Sequence, residues 1–304
     1  MPTPFFIMGS RNLKNLLYVL PFSLIFFCFL LFPFFYSFYL SFFKITDLSN
    51  IFTGLRFVGL KNYGFVLKDK EFLYSVWLSF KYALILIPLN VAFSIVLALI
   101  LRADIKINRV YRTLFFMPFV LDTFVVGVVW TILYAGRYGF LVQILKPIIP
   151  RHVYETGFLG NAVTAMPAVA LAVVLKNVGF GTILYTASLN NISPDIEDAA
   201  RIDGASGLKK FFYITFPLVR HTTTFLVITG IIGAFSAFSE FFAMTGGGPT
   251  VIKWGEPLGA TKVSGYYLYN HISNMRLGIA SATSFILLLI TLTISIIYSR
   301  VVKE

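Results

Sequence analysis

Cysteine and charge are what this sequence has least of. Cys28 is the only cysteine in 304 residues, so no internal disulfide can form and redox chemistry says nothing about the compartment. Charged residues make up 12% of the chain and apolar ones 58%, against about 25% and about 45–50% in ordinary soluble domains. That balance excludes an ordinary water-exposed globule and points to lipid. No G-x-x-x-x-G-K-[ST] phosphate loop occurs, so the chain does not cradle ATP in the usual way. His152, His221 and His271 lie far apart with no cysteine or carboxylate cluster at metal-ligand spacing, so they read as loop and interface histidines. The "GASG" run at 204–207 lacks one residue of the G-x-S-x-G nucleophile elbow. These absences leave no catalytic site, no metal site and no cofactor in this chain.

The net charge of +12 raises the question of nucleic acid. The basic residues, however, flank apolar runs where anionic headgroups would lie, and no recognition motif accompanies them. Membrane lipid is the expected partner and nucleic acid is not. Crossing a hydrocarbon core about 30 Å thick takes about 20 helical residues, and six segments qualify: 16–43, 82–101, 113–135, 161–189, 222–245 and 277–299. Lys81 and Arg102 bracket the second, and Arg276 and Arg300 the sixth. Asp122, Lys176 and Glu240 are the single charges inside the third, fourth and fifth. Prolines 21, 33, 88, 118 and 167 are compatible with spans, because neighbouring helices re-satisfy the freed backbone groups. Trp77, Trp130 and Trp254 read as interface anchors. The expectation is an all-α integral membrane protein of six transmembrane helices, with residues 1–15 a cytoplasmic segment and 16–304 one transmembrane domain. The basic N-terminus precedes the first apolar run without a small-residue cleavage signal, so that run reads as an uncleaved span. An even number of spans then puts both termini in the cytoplasm, together with the short basic loop 102–112.

The polar insert 193–217 stands out between two apolar runs. Ser193 and Pro194 form an N-cap with proline at the first helical position, and Asp195, Glu197 and Asp198 place negative charge on the positive end of the helix dipole. Gly204 is placed to stop that helix in the left-handed conformation, and a second short helix over 206–216 precedes Pro217. Ile196, Ala199, Ala200 and Asp203 fall on one face, which the two alanines make flat. From physics alone the insert is either a rigid knob for a groove on another protein or an amphipathic loop lying on headgroups.

The residue order weighs in favour of the knob. "DAARIDGASGLKKFFYITFP" resembles the cytoplasmic EAA signature of permease subunits of bacterial ABC importers. Asp198, Ala199, Ala200, Gly204, Ile214 and Pro217 match its spacing, with Asp198 in place of the usual Glu and Phe216 in place of the usual Leu. The "ARIDGA" run, "FVGLKNY" at 57–63, "MTGGGPT" at 244–250 and "LGIASATS" at 277–284 resemble the carbohydrate-uptake branch that includes maltose-type and glycerol-phosphate-type permeases. The resemblance implies the type I ABC importer permease fold, with 193–217 as a coupling helix that docks on an ATPase through Asp198, Ala199, Ala200, Asp203, Gly204, Ile214 and Pro217. It also implies the partners: a second homologous permease in a heterodimer, two ATPase subunits that bind the ATP and magnesium, and an extracytoplasmic solute-binding protein. That binding protein would meet loops 44–80, 136–160 and 246–275. The implied location is a bacterial or archaeal plasma membrane, and the implied action is carbohydrate import by alternating access.

Charges inside spans cost about 2.5–3.5 kcal/mol each on insertion scales and persist where they have a partner or a watery cavity. Asp122 and Lys176 both fall near mid-span, so they either pair, face one polar passage, or settle independently in protein interior. Glu240 is expected close to the outer interface, as a cheap carboxylate there or as an acceptor for sugar hydroxyls. Asn177, Ser236 and Ser239 are further candidates for a substrate pathway, or helix-packing glue. A second class of function stays open on these charges: a secondary carrier driven by an ion gradient through Asp122, Lys176 and Glu240. A third is a membrane scaffold or sensor that uses the polar insert for docking.

Overall fold

The structure, a computed structural model, describes residues 10–46, 54–102 and 106–303. The first nine residues of the expected cytoplasmic segment, Asp47 of the first outer loop, residues 103–105 of the basic loop, Glu304 and the side chain of Glu197 lie outside that description.

Long apolar stretches became helices. In chain order they begin with α1 (Ser10–Phe26), a π-helical turn (Phe27–Leu31) that holds Cys28, and α2 (Phe32–Leu40). Then come a hairpin of β1 (Phe43–Ile45) with β2 (Leu55–Phe57), α3 (Lys61–Lys68) and α4 (Lys70–Ile100). After these follow α5 (Lys106–Val120), α6 (Thr123–Leu133), α7 (Phe140–Leu145), α8 (Arg151–Thr156) and α9 (Ala165–Asn190). The polar insert contains α10 (Pro194–Ile202), α11 (Gly207–Lys210), a second π-helical turn (Phe211–Thr215) and α12 (Phe216–Leu218). Last are α13 (Arg220–Ser236), α14 (Ser239–Thr245), the β3 (Thr250–Lys253)–β4 (Glu256–Gly259) hairpin, α15 (Ser264–Ser273) and α16 (Leu277–Lys303).

Among the described residues, four helical segments are long and apolar enough to cross a membrane unbroken: Tyr18–Leu40, Lys70–Ile100, Ala165–Asn190 and Leu277–Val302. Two more segments qualify as bent pairs, Val110–Val120 with Thr123–Leu133 at 100° and Gly207–Leu218 with Arg220–Ser236 at 69°. Three expectations change here. The expected third span, 113–135, is not one helix: it turns sharply at Leu121 and Asp122, just after Pro118. The second begins at Lys70, because Asp69 caps it by accepting the Glu71 N–H at 2.9 Å, so Lys81 lies within that helix and does not bracket it. The fifth is interrupted at Ala237 and Phe238, whose φ/ψ angles of −58/128 and −146/−55 leave the helical region. The two hairpins are also a departure from a purely helical chain.

The chain groups into two compact units. The first, residues 1–66 with 271–286, is held by the "FVGLKNY" and "LGIASATS" stretches. Gly59 turns the chain at φ +56, and the Asn62 amide donates to the Ser41 and Phe43 carbonyls at 2.8 and 3.0 Å. Tyr63 shares a 2.8 Å hydrogen bond with the Ser41 hydroxyl. Phe34 and Phe38 stand edge-on to Phe285, with centroids 5.4 and 5.0 Å away. Gly278 lies so close to the Phe43 carbonyl that a Cβ there would overlap it.

In the second unit, residues 67–270 with 287–304, α9 is the central helix, packed on α4 and α5. Small residues let it approach: a Cβ on Gly179 would overlap the Phe115 carbonyl, and one on Gly181 would overlap the Ser94 hydroxyl. Close backbone packing and interhelical hydrogen bonds drive association where lipid removes the hydrophobic effect, each bond contributing about 0.6 kcal/mol and at most about 1.7. Ser94 to the Val178 carbonyl (3.2 Å), Tyr134 to the Ala168 carbonyl (3.2 Å) and Tyr185 with Thr223 (2.8 Å) are such bonds. The basic loop also has structural work, because Arg102 donates to the Leu189 carbonyl at 3.1 Å and Arg112 to the Leu101 carbonyl. Both cover carbonyls left open at helix C-termini.

The break after α13 is closed in the same way. The Ser264 hydroxyl donates to the Phe235 carbonyl at 2.7 Å and receives its own support from Ser79. Further along, the "MTGGGPT" stretch ends α14 with Gly246 in the left-handed conformation. Thr245 and Thr261 join across the loop at 2.7 Å. The β3–β4 hairpin and α15 are fastened to the start of α4 by the Lys70–Glu256 (2.8 Å) and Lys262–Glu71 ion pairs and by Tyr267, which donates to Asp69 at 2.6 Å.

Candidate functional site

Two places in the second unit bring together the residues singled out above. The first is the polar insert. Ser193 caps α10 by accepting the Asp195 N–H at 3.3 Å, as an N-cap serine should. The other end closes on glycine: Gly204 has φ +70, and the Ala205 N–H reaches back five residues to the Ala200 carbonyl at 2.9 Å. That is the six-to-one bond of a Schellman stop, which needs a left-handed residue at the Gly204 position. Asp198, Ala199, Asp203 and Gly204 are exposed, whereas Ala200 is buried at 3% exposure. The flat face expected from the two alanines is therefore divided, with Ala199 turned outward and Ala200 inward. Ile214 lies half-buried in the second π-helical turn, and Pro217 is exposed within α12. Val219 is the hinge between α12 and α13.

The second place is a cavity among α4, α5, α9, α13 and α14, with about 770 Å³ of empty space, its open mouth included. Glu240 is in the first turn of α14 and is 9% exposed. It was expected at an interface where a carboxylate is cheap. The break at Ala237 and Phe238 instead turns α14 so that the carboxylate lines the cavity and accepts the Tyr82 hydroxyl at 3.1 Å. Asn177 lines the same cavity from α9, and Asn90 and Thr229 bring further polar groups from α4 and α13. Phe119 and Phe180 supply a stacked aromatic wall, with centroids 4.7 Å apart and planes 9° from parallel.

Lys176, 8% exposed, is adjacent to this cavity without lining it. Its ammonium donates to the Phe119 carbonyl at 3.4 Å and lies 5.4 Å from the centre of the Phe119 ring. Among the described residues Asp122 and Lys176 form no ion pair within 4.0 Å. Asp122 is exposed and serves as the N-cap of α6, accepting the Phe124 N–H at 2.8 Å. Ser236 and Ser239 do not line the cavity. Of the six pathway candidates, then, Asn177 and Glu240 come together, Lys176 stands beside them, and Asp122, Ser236 and Ser239 lie elsewhere. Tyr82, Asn90 and Thr229 were missed. Asn90 had a legible signal, an amide within a charge-free apolar run.

Sequence and structure comparisons agree on what kind of chain this is. Residues 90–304 match the family described as binding-protein-dependent transport system inner membrane component. The chain is 31% identical over 290 residues to the probable ABC transporter permease protein YurN of Bacillus subtilis, covering 94% of this chain and 95% of that one. It is 31% identical to the trehalose/maltose transport system permease protein MalF of Thermococcus litoralis, over 81% of this chain and 79% of that protein. It is 30% identical to the sn-glycerol-3-phosphate transport system permease protein UgpA of Agrobacterium fabrum, over 82% of each. A solved bacterial ABC transporter that imports the acidic polysaccharide alginate shares the fold at a TM-score of 0.77 and 17% identity, over 97% of this chain and 96% of that one. The long helices, the bent pairs and these matches have one reading: the chain belongs to the family of binding-protein-dependent transport system inner membrane components.

Proposed function

We propose that the chain is one permease subunit of an ATP-driven importer for carbohydrate, with six spans counting each bent pair as one, working by alternating access. The observation that carries this reading is the exposed, glycine-terminated helix α10, held between bundle helices α9 and α13, in a chain of this family. A helix that is capped at both ends and joined to two spans transmits force without first having to order itself. Docked on an ATPase, it would couple nucleotide-driven motion to the bundle through Asp198, Ala199, Asp203 and Gly204. Ala200, which is buried, and Ile214, which is half-buried, would hold the knob to its base.

The carbohydrate assignment draws on the named substrates of the trehalose/maltose and glycerol-3-phosphate relatives and on a cavity that combines an aromatic wall with amide, hydroxyl and carboxylate groups. Sugars present apolar ring faces and rims of hydroxyls, so they need both. A second related permease would complete the passage. A solute-binding protein would deliver substrate to the face formed by loops 136–160 and 246–275, as one is bound in the solved alginate transporter complex. ATP and magnesium would be held by the ATPase subunits, and both termini would lie in the cytoplasm.

The test is affinity purification of the intact chain from its own membrane, comparing the wild type with Gly204→Asp. The reading expects an ATPase to accompany the wild type and to be lost from the variant, with the second permease retained in both. A wild-type chain that emerges alone, folded, and transports without ATP when a proton or sodium gradient is imposed would establish the ion-driven carrier instead. That alternative has lost one of its three charges, since Asp122 is engaged as a helix cap outside the cavity.

A further inference from the structure

The relatives divide by substrate charge. The trehalose/maltose permease serves uncharged sugars, whereas the glycerol-3-phosphate permease and the alginate importer serve anions. The cavity carries evidence about which side this chain falls on.

Among the described residues that line the cavity, Glu240 is the one acid, and none is a lysine, arginine or histidine. Lys176, beside the cavity, is already engaged: its ammonium donates to the Phe119 carbonyl at 3.4 Å and lies 5.4 Å from the centre of the Phe119 ring. A phosphate or uronate entering this space would meet a carboxylate and find no free cation. Burying a charge without a partner is strongly unfavourable. A free ammonium or guanidinium, the usual means of holding such groups, is not offered. What remains available suits an uncharged, many-hydroxyl ligand. The Glu240 carboxylate accepts from hydroxyls, Asn90 and Asn177 both donate and accept, and the Phe119–Phe180 pair offers a flat apolar wall. On the α13 side Gly233 leaves open space, with no atom within 4 Å of a Cβ built there.

We infer that the cavity selects an uncharged sugar, a neutral disaccharide or oligosaccharide, because its lining offers hydrogen-bonding groups, Glu240 and Asn177 among them, and an aromatic face but no cation to hold an anionic sugar. The inference rests on the carbohydrate-import reading and narrows it.

The test uses the whole transporter, this chain with its second permease, ATPase and binding protein, reconstituted in lipid vesicles. ATP-driven uptake is measured for labelled trehalose, maltose and maltotriose and, separately, for glycerol 3-phosphate and an alginate trisaccharide. At least one uncharged sugar is expected to accumulate and neither anion. Glu240→Gln keeps the side chain's size and an acceptor for Tyr82, and is expected to raise KM for the accumulated sugar at least fivefold with a smaller change in kcat. Asn177→Ala gives an independent reading of the same cavity and is expected to move KM in the same direction. Accumulation of an anionic probe at a comparable rate would overturn the inference and leave carbohydrate import standing. So would an accumulated sugar whose KM neither variant moves. Accumulation of no probe by a complex that still hydrolyses ATP would overturn the carbohydrate reading together with the inference.

Discussion

The stop at Gly204 offers the sharpest test of how α10 works. Its backbone is left-handed at φ +70, and a Cβ built there would meet no atom within 4 Å. Any cost of Gly204→Ala is therefore conformational and not steric. Forcing an ordinary residue into that region costs roughly 1–2 kcal/mol, which reduces the population of the capped loop by a factor of about 5–30. Asparagine enters the same region more readily than other non-glycine residues, so Gly204→Asn should lose less. Gly64→Ala is the control: Gly64 is in helix α3, has no left-handed φ and no atom within 4 Å of a built Cβ. The assay is titration of the purified ATPase onto the chain in lipid nanodiscs, read as an apparent Kd. The expected order of affinity is wild type and Gly64→Ala together, then Gly204→Asn, then Gly204→Ala, weaker than wild type by about 5–30-fold. Equal affinity for alanine and glycine at 204 would refute the argument that a left-handed stop shapes the docking surface. So would a loss as large in the Gly64 control.

Three other substitutions separate surface from support. Ala199→Leu is expected to leave the melting temperature of the solubilised chain unchanged while weakening ATPase binding, whereas Ala200→Leu should lower the melting temperature, since Ala200 is 3% exposed and overpacking costs about 1–3 kcal/mol. Gly179→Ala drives a methyl into the Phe115 carbonyl and should destabilise the α5–α9 contact by a similar amount, measured by thermal unfolding. Tyr267→Phe removes the 2.6 Å bond to Asp69; a hydrogen bond to a charged group contributes about 1.5–3 kcal/mol, and thermal unfolding in detergent should register that loss.

Much of the architecture was legible because lipid imposes it. A run of apolar residues long enough to cross the bilayer has few structures open to it, and four of the six expected segments fall in unbroken helices. The capped insert was equally legible, since Ser193, Pro194 and Gly204 carry local signals that need no tertiary context. The length of α4 was not. Its first three turns, from Lys70, are mixed in polarity, and Asp69, Glu71 and Tyr74 are engaged by the hairpin and α15. Those partners lie far along the chain, so no local pattern announces them.

The breaks at Asp122 and Ala237 were hidden for a different reason, and Glu240 shows its functional consequence. Counting depth along a span assumes a straight helix rising about 1.5 Å per residue, and that assumption sent Glu240 to the outer interface. Nothing between 222 and 245 forbids a helix: the stretch has no proline, and its glycines are compatible with one. The interruption is stabilised from outside, by the Ser264 hydroxyl on the Phe235 carbonyl and by Gly265 lying against the Ser236 and Ala237 carbonyls. The Phe235 carbonyl, which a continuing helix would have covered, is thereby satisfied, and the cost of stopping falls. The chain uses that stop to swing one carboxylate into the cavity, opposite Tyr82. A continuous helix through Ala237 would carry Glu240 elsewhere and leave the cavity without its acid, so the small residues of α15 are as much a part of the site as the residues that line it.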